Sequence, residues 1–199
     1  MDEMKLFTLM AWVCFFSYLI GSIPFGYILT KVFLKKDIRN IGSGNIGATN
    51  ALRTGNKVIG YSTLLLDVLK AVIPVLLIKF NNTEFVYACS LCVFIGHVFP
   101  IWLKFKGGKG VATYLGIIFC LNFILGFIFI FVWFFIFLIS KYSSLSSLIA
   151  TFVIPIYYYF LVDGKNYYFF IIMFILIFYT HRENIKRLIN NTESKTKIY

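Results

Sequence analysis

No Asp, Glu, Lys or Arg occurs between positions 110 and 140, a run of 31 residues. A helix crossing a bilayer needs about 20 mostly apolar residues. Three further uncharged stretches are long enough, at 6–30, 85–103 and 142–162. The stretch 166–180 is shorter, and 58–78 is apolar apart from Asp67 and Lys70. These runs set the fold class: an all-α integral membrane protein. Composition agrees. Hydrophobic residues make up 60% of the 199, against roughly 45–50% in a soluble domain, and mean hydropathy is +0.84. So small a soluble core could not hide that excess. No polar stretch is long enough for a second domain, so 1–199 reads as one polytopic domain.

The net charge of +11 is distributed as membrane topology requires, because the basic residues flank the apolar runs. No groove-reading motif accompanies them, which argues against nucleic acid. Cys14, Cys89, Cys92 and Cys120 all fall in apolar runs. The Cys89/Cys92 pair lacks the second pair or His cluster of a zinc site, so they read as small buried residues. The N-terminus has no cleavage site and an apolar run longer than a signal sequence, about 7–15 residues. The first span is expected to stay in the mature protein.

Three polar segments separate the spans, at about 31–57, 99–110 and 181–199. As a single helix, 110–140 would be about 46 Å long at about 1.5 Å per residue, far more than the roughly 30 Å hydrocarbon core. A helical hairpin near Cys120-Leu121-Asn122 resolves this and puts all three segments on one side. The charges favour that solution. Fifteen of the 19 Lys and Arg then lie inside: Lys31, Lys35, Lys36, Arg39, Arg53, Lys57, Lys104, Lys106, Lys109, Lys141, Arg182, Lys186, Arg187, Lys195 and Lys197. Lys5, Lys79 and Lys165 lie outside, and Lys70 lies within a span. The expected topology is seven helices, some short or kinked, with the N-terminus out and the C-terminus in. All four prolines (Pro24, Pro74, Pro100, Pro155) lie in or beside apolar spans.

The first polar segment contains Gly42, Ser43, Gly44, Asn45, Thr49, Asn50 and Arg53. Such a density of Gly, Ser and Asn lets backbone NH groups turn inward as an anion nest, and the Arg53 fork suits phosphate. A flexible interfacial loop with an orienting arginine is the alternative. The second segment reads Lys106-Gly107-Gly108-Lys109-Gly110 before a helix start. Backbone NH groups, the lysines and the helix dipole would make a phosphate cradle there. It lacks the Walker A order, and a merely orienting basic loop is the other reading. In the third segment, helical spacing puts His181, Asn184 and Leu188 on one face and Arg182 and Lys186 on another. A ligand-facing pair or an amphipathic tail on anionic lipid would both fit. Asp67 and Lys70, at i and i+3, read as a structural pair, and His97 as a packed interior residue.

The segments carry few acids, namely Asp37, Glu183 and Glu193. A magnesium-dependent phosphotransferase would want several, and the paired aspartates of CDP-alcohol phosphotransferases are absent. So are the H-x-x-x-x-D motif of CoA-dependent glycerolipid acyltransferases and the G-x-S-x-G elbow.

Taken together, Gly21-Ser22-Ile23-Pro24, Asp37-Ile38-Arg39, Gly42 through Asn50, Gly96-His97, Phe99-Pro100, Lys106 through Thr113 and His181 through Leu188 resemble the bacterial acyl-phosphate:glycerol-3-phosphate acyltransferases, the PlsY family. Order, spacing and length fit across nearly the whole chain. Asn190-Asn191 departs from the pattern, where the family has a Gly before the Thr-Glu pair. The resemblance implies seven membrane helices in a bacterial plasma membrane, with the active site facing the cytoplasm. It implies acyl transfer from acyl phosphate to the 1-hydroxyl of glycerol 3-phosphate, without cofactor or metal. The products would be lysophosphatidic acid and phosphate, in the first step of phospholipid synthesis. It assigns Ser43, Arg53, Lys109, His181 and Asn184 to catalysis. Gly42, Gly44, Asn45, Thr49, Asn50, Lys106, Gly107, Gly108 and Gly110 would bind substrate phosphate. Partners would be the two substrates and membrane lipid, and the chain a monomer. A transporter for phosphorylated metabolites is the competing class, supported by the Asp67–Lys70 pair.

Overall fold

The computed structural model describes residues 2–162 and 166–196. Lys165, Lys197 and the connection at 163–165 lie outside the described residues. Every regular element among those described is helical. The chain divides into two compact units, Met1–Cys120 and Leu121–Tyr199.

In the first unit the apolar stretch at 6–30 is not one helix. It breaks into α1 (Glu3–Gly21) and α2 (Phe25–Leu34) around Ser22-Ile23-Pro24. Pro24 has no NH to donate and disfavours helical backbone at Ile23. Hydropathy is blind to that effect, which is why the stretch reads as continuous. A five-residue helix, α3 (Ala48–Leu52), precedes α4 (Lys57–Asn81). The α4 start is capped by Asn56, whose side chain accepts from the Ile59 amide at 3.1 Å. Next come α5 (Val86–Val98), a 3-10 turn at Ile101–Leu103, and α6 (Val111–Leu121).

Helices α1 and α5 cross in backbone contact. A methyl group on Gly21 would lie 2.1 Å from the Val93 carbonyl oxygen, and one on Gly96 would lie 2.3 Å from that of Tyr18. Inside α4, Asp67 and Lys70 form the expected pair at 2.8 Å, both buried. His97 is buried as expected. Cys89 and Cys120 are buried and Cys14 and Cys92 partly so, with no disulfide among them.

The second unit holds α7 (Phe123–Ser140), α8 (Ser143–Tyr157), α9 (Tyr167–Thr180) and α10 (Arg182–Ile189). The long stretch at 110–140 does break where its length demands, at Asn122. That residue's side chain accepts from the Ile124 amide at 3.0 Å and so caps α7. One face of α7 is bare, with Phe123, Phe127, Phe131, Phe134 and Phe135 exposed. Helix α7 packs on α8, whose buried residues include the small Ser144, Ser147, Ala150 and Thr151. Small side chains let membrane helices approach closely, and Trp133 donates to Ser147 Oγ at 3.1 Å across this contact. Three residues after Pro155, α8 loosens into a π turn at Tyr158–Val162.

Among the described residues four helical segments are long and apolar enough to cross a membrane: Glu3–Leu34, which contains the break, Thr83–Leu103, Phe123–Ser140 and Ser143–Val162. Val111–Leu121 and Tyr167–Thr180 are apolar but shorter.

Candidate active site

The segment after α2 is organised by two side chains. Asp37 accepts from the Arg39 backbone amide and from its guanidinium, the shortest contact being 2.6 Å. That clasp holds the Asp37 carboxyl well below the usual carboxylate range, at about 2. Arg39 also covers the Tyr27 ring at 5.0 Å, so its charge is bound locally. Asn50 is buried, and its side chain is committed within the segment. Nδ2 donates to the carbonyls of Ile38, Ile41 and Asn45 at 3.1, 2.9 and 2.8 Å, and Oδ1 accepts from the Ser43 amide at 2.9 Å. Asn45 Oδ1 in turn accepts from the Gly47 amide at 2.9 Å. Asn50, expected among the phosphate donors, thus acts here as an internal strut, and Asn45 braces the segment through its Oδ1.

This folding brings Gly42, Ser43 and Arg53 together. Gly42 and Gly44 have φ of 53° and 71°, a region L residues rarely adopt. A methyl on Gly42 would lie 2.4 Å from Asn50 Oδ1 and 2.8 Å from Arg53 Cδ. The arginine therefore crosses directly over the glycine, next to exposed Ser43. Thr49 lies in α3, partly buried.

In the second segment the chain turns through Lys104 and Phe105, both at positive φ, and runs back along the end of α5. The amides of Gly107 and Gly108, expected to face an anion, donate instead to the carbonyls of Val98 and His97 at 3.0 and 3.1 Å. Gly110, at φ 84°, packs on the Phe94 ring and opens α6. Lys106 is exposed and Lys109 partly buried.

In the second unit His181 sits at the α9–α10 junction, 2% exposed. Its Nδ1 lies 2.8 Å from the Ile177 carbonyl oxygen. A carbonyl only accepts, so Nδ1 carries a proton. Asn184 lies one turn on, buried on the same face, while Arg182 and Lys186 are exposed on another, as helical spacing requires. The residue that sequence reasoning left aside is Glu193. Ser144, Asn184 and Arg187 all donate to it, at 2.8, 2.6 and 2.6 Å. Burial pushes its carboxyl up, and the hydrogen bonds from Arg187, Asn184 and Ser144 outweigh this and hold it below its ordinary value. With Nδ2 on Glu193, Asn184 keeps Oδ1 as a buried acceptor with no hydrogen-bond partner among the described residues. The one sequence signal for Glu193 is its place as one of two acids in a basic tail. Among the described residues no cluster of three or more His, Cys, Asp or Glu could hold a metal ion.

A family model described as glycerol-3-phosphate acyltransferase matches residues 11–191. The chain belongs to the glycerol-3-phosphate acyltransferase family. It is accordingly an acyltransferase, as the resemblance implied. A glycerol-3-phosphate acyltransferase from Pelagibacter ubique (strain HTCC1062) is 67% identical over 183 residues, 92% of this chain and 95% of the relative. One from Bartonella henselae is 49% identical over 197 residues, 96% of this chain and 93% of the relative. The crystal structure of PlsY (YgiH), an integral membrane glycerol 3-phosphate acyltransferase, superposes in its glycerol 3-phosphate form with a TM-score of 0.88. That match has 36% identity and covers 94% of this chain and 96% of the other. Its lysophosphatidic acid form superposes with a TM-score of 0.84 at the same identity.

Proposed function

We propose that the chain transfers a fatty acyl group from acyl phosphate to the 1-hydroxyl of glycerol 3-phosphate. Lysophosphatidic acid and inorganic phosphate leave. The observation that carries this reading is the backbone-level match to a family member whose structures hold glycerol 3-phosphate and lysophosphatidic acid, the acceptor and product of the reaction. The donor is the one the family resemblance implies, and the chemistry of the side chains is compatible with it. Acyl phosphate is a mixed anhydride with a good leaving group, so no protein nucleophile is needed. The residues assigned to the reaction include no cysteine and no carboxylate.

The acceptor hydroxyl attacks the acyl carbonyl, the tetrahedral oxyanion collapses, and the carbon–oxygen bond to phosphate breaks. Ser43, Arg53 and Lys109 hold phosphate oxygens and stabilise the charge that grows on them. Asn45 and Asn50 shape the Gly42–Ser43–Gly44 segment, and Gly107, Gly108 and Gly110 shape the one that carries Lys106 and Lys109. His181 and Asn184 serve the glycerol and the acyl carbonyl. The attacking hydroxyl loses its proton to the phosphate of the donor, so His181 positions the glycerol and does not take that proton. The chain works as a monomer in a bacterial plasma membrane, with seven spanning helices (α1 with α2, α4, α5, α6, α7, α8 and α9), N-terminus outside. The three motif segments face the cytoplasm, where both phosphates are available. The basic residues that flank the spans support this orientation.

The test is direct. Protein purified in lipid receives acyl phosphate and glycerol 3-phosphate, and lysophosphatidic acid and free phosphate are followed. Both are expected in equal amounts. No product alongside an active control would sink the reading, and equal turnover of acyl-CoA would sink the donor. His181→Ala is expected to keep measurable turnover at saturating substrate, and complete loss would make His181 the essential base.

A further inference from the structure

The buried pair in α4 does not end at Lys70. Lys70 Nζ donates to the Ile23 carbonyl at 2.8 Å, an oxygen at the Pro24 break that also accepts from the Phe25 amide at 3.2 Å. Asp67 Oδ1 faces Lys70 at 2.8 Å and His97 Nδ1 at 3.7 Å. No hydrogen-bond partner reaches His97 Nδ1 among the described residues, so Asp67 is the charge that faces it. The opposite edge of the same ring lies against the glycine segment. A methyl on Gly108 would sit 2.1 Å from His97 Nε2 and 2.7 Å from Cε1. The His97 carbonyl accepts the Gly108 amide as well. On the far side of Lys109, Thr113 Oγ1 in the first turn of α6 reaches the Asp67 carbonyl at 3.4 Å. Asp67, Lys70, His97 and Thr113 are all 4% exposed or less.

Three ionisable side chains buried in an apolar bundle are costly, and an apolar set of similar volume would serve stability as well or better. What they supply is a seat for the glycine. Asp67, with Lys70 on the same carboxylate oxygen, faces one edge of the imidazole at 3.7 Å, and the other edge is the surface on which Gly108 rests. We infer that Asp67, Lys70 and His97 are positioning residues for the glycine segment, setting where Lys109 meets a substrate phosphate. The inference rests on the reading of that segment as phosphate-binding. None of the three touches substrate. They act through Gly108, the residue before the lysine; the Thr113 contact after it is to the Asp67 main chain and does not depend on these side chains.

The experiment uses full-length protein in lipid and measures thermal stability together with KM and kcat for both substrates. Asp67→Leu combined with Lys70→Met removes both buried charges at similar volume, and His97→Phe keeps a ring but removes the nitrogens. Both proteins are expected to fold, with KM for one phosphate substrate raised about tenfold or more and kcat changed far less, because ground-state binding is what shifts. A role confined to stability would instead lower the yield or melting temperature and leave KM alone. Wild-type KM for both substrates in either folded variant overturns the inference. If the double variant fails to fold, His97→Phe decides by itself. An inactive wild-type enzyme overturns the proposed reaction instead, so the two failures are distinguishable.

Discussion

Asn184 Nδ2 donates to Glu193 Oε1 at 2.6 Å, tying the first buried residue of α10 to the chain that follows it. The bond fixes which end of the Asn184 amide points away, and it draws Ser144 of α8 and Arg187 of α10 onto the same carboxylate. A carboxylate accepting three donors at once holds α10 against α8 more firmly than the packing of so short and polar a helix could.

Glu193→Gln should therefore damage both stability and rate. The amide keeps one acceptor oxygen but loses its charge, and hydrogen bonds to a charged group contribute about 1.5–3 kcal/mol each. A melting temperature lowered by several degrees and activity lowered about tenfold are expected, measured on protein in lipid. Glu193→Asp, which keeps the charge on a shorter stem, should recover part of both. An unchanged melting curve for Glu193→Gln would remove the strut from the account.

The same carboxylate predicts a pH dependence. Its folded value lies below the ordinary 4.5, so between the two values the folded chain binds fewer protons than the unfolded one. The stabilisation is complete above about pH 4.5 and is lost as pH falls through the folded value. Melting temperature should be insensitive to Glu193 from pH 8 to 5 and decline below that. Glu193→Gln should start lower and decline less. Asp37, held at about 2 by Arg39, adds its own loss as pH falls towards that value. A wild-type curve parallel to that of the variant throughout would refute the linkage.

Asn50 predicts a different failure. Its amide joins Ile38, Ile41, Ser43 and Asn45; removing it takes the partner of the Ser43 amide and the Asn45 carbonyl and one of the two bonds on each of the Ile38 and Ile41 carbonyls, at about 0.5–1.5 kcal/mol for each bond lost. Asn50→Ala should still insert in the membrane and keep its helices. The segment 37–53 should become sensitive to added protease and turnover should fall at least tenfold. Asn50→Asp keeps the acceptor for Ser43 but sets a charge against three carbonyls, and should do no better.

What could be read from the sequence was what the membrane itself enforces. The stretch at 110–140 exceeds the bilayer thickness, so the break at Asn122 follows from length alone. The pairing of Asp67 with Lys70 and the shared face of His181 with Asn184 follow from helical spacing within one element. Pro24 marked a kink, but the full break into α1 and α2 went unread, because hydropathy scores side chains and the break is a backbone effect. Glu193 stayed hidden because Ser144 lies 49 positions before it, a distance that only tertiary folding closes. The glycines at 107 and 108 stood out, but the reason given for them was incomplete. They are small because the His97 ring and the end of α5 lie against them, and their amides are bonded there.

The arrangement of Gly42 beneath Arg53 predicts that charge alone will not suffice at position 53. The guanidinium presents a planar fork to two oxygens of one phosphate, whereas an ammonium is a point charge on a flexible stem. Arg53→Ala and Lys109→Ala are expected to abolish acyl transfer while the protein still inserts, and Arg53→Lys to retain only a few per cent of it, through weaker phosphate binding. Gly42→Ala should resemble Arg53→Ala, since a methyl there meets Asn50 Oδ1 at 2.4 Å and Arg53 Cδ at 2.8 Å on a backbone already at φ 53°. Steady-state kinetics on the four variants would check this. Near-wild-type activity in Arg53→Lys would reduce the role of Arg53 to general positive charge. Near-wild-type activity in Gly42→Ala would mean that the arginine does its work away from this glycine.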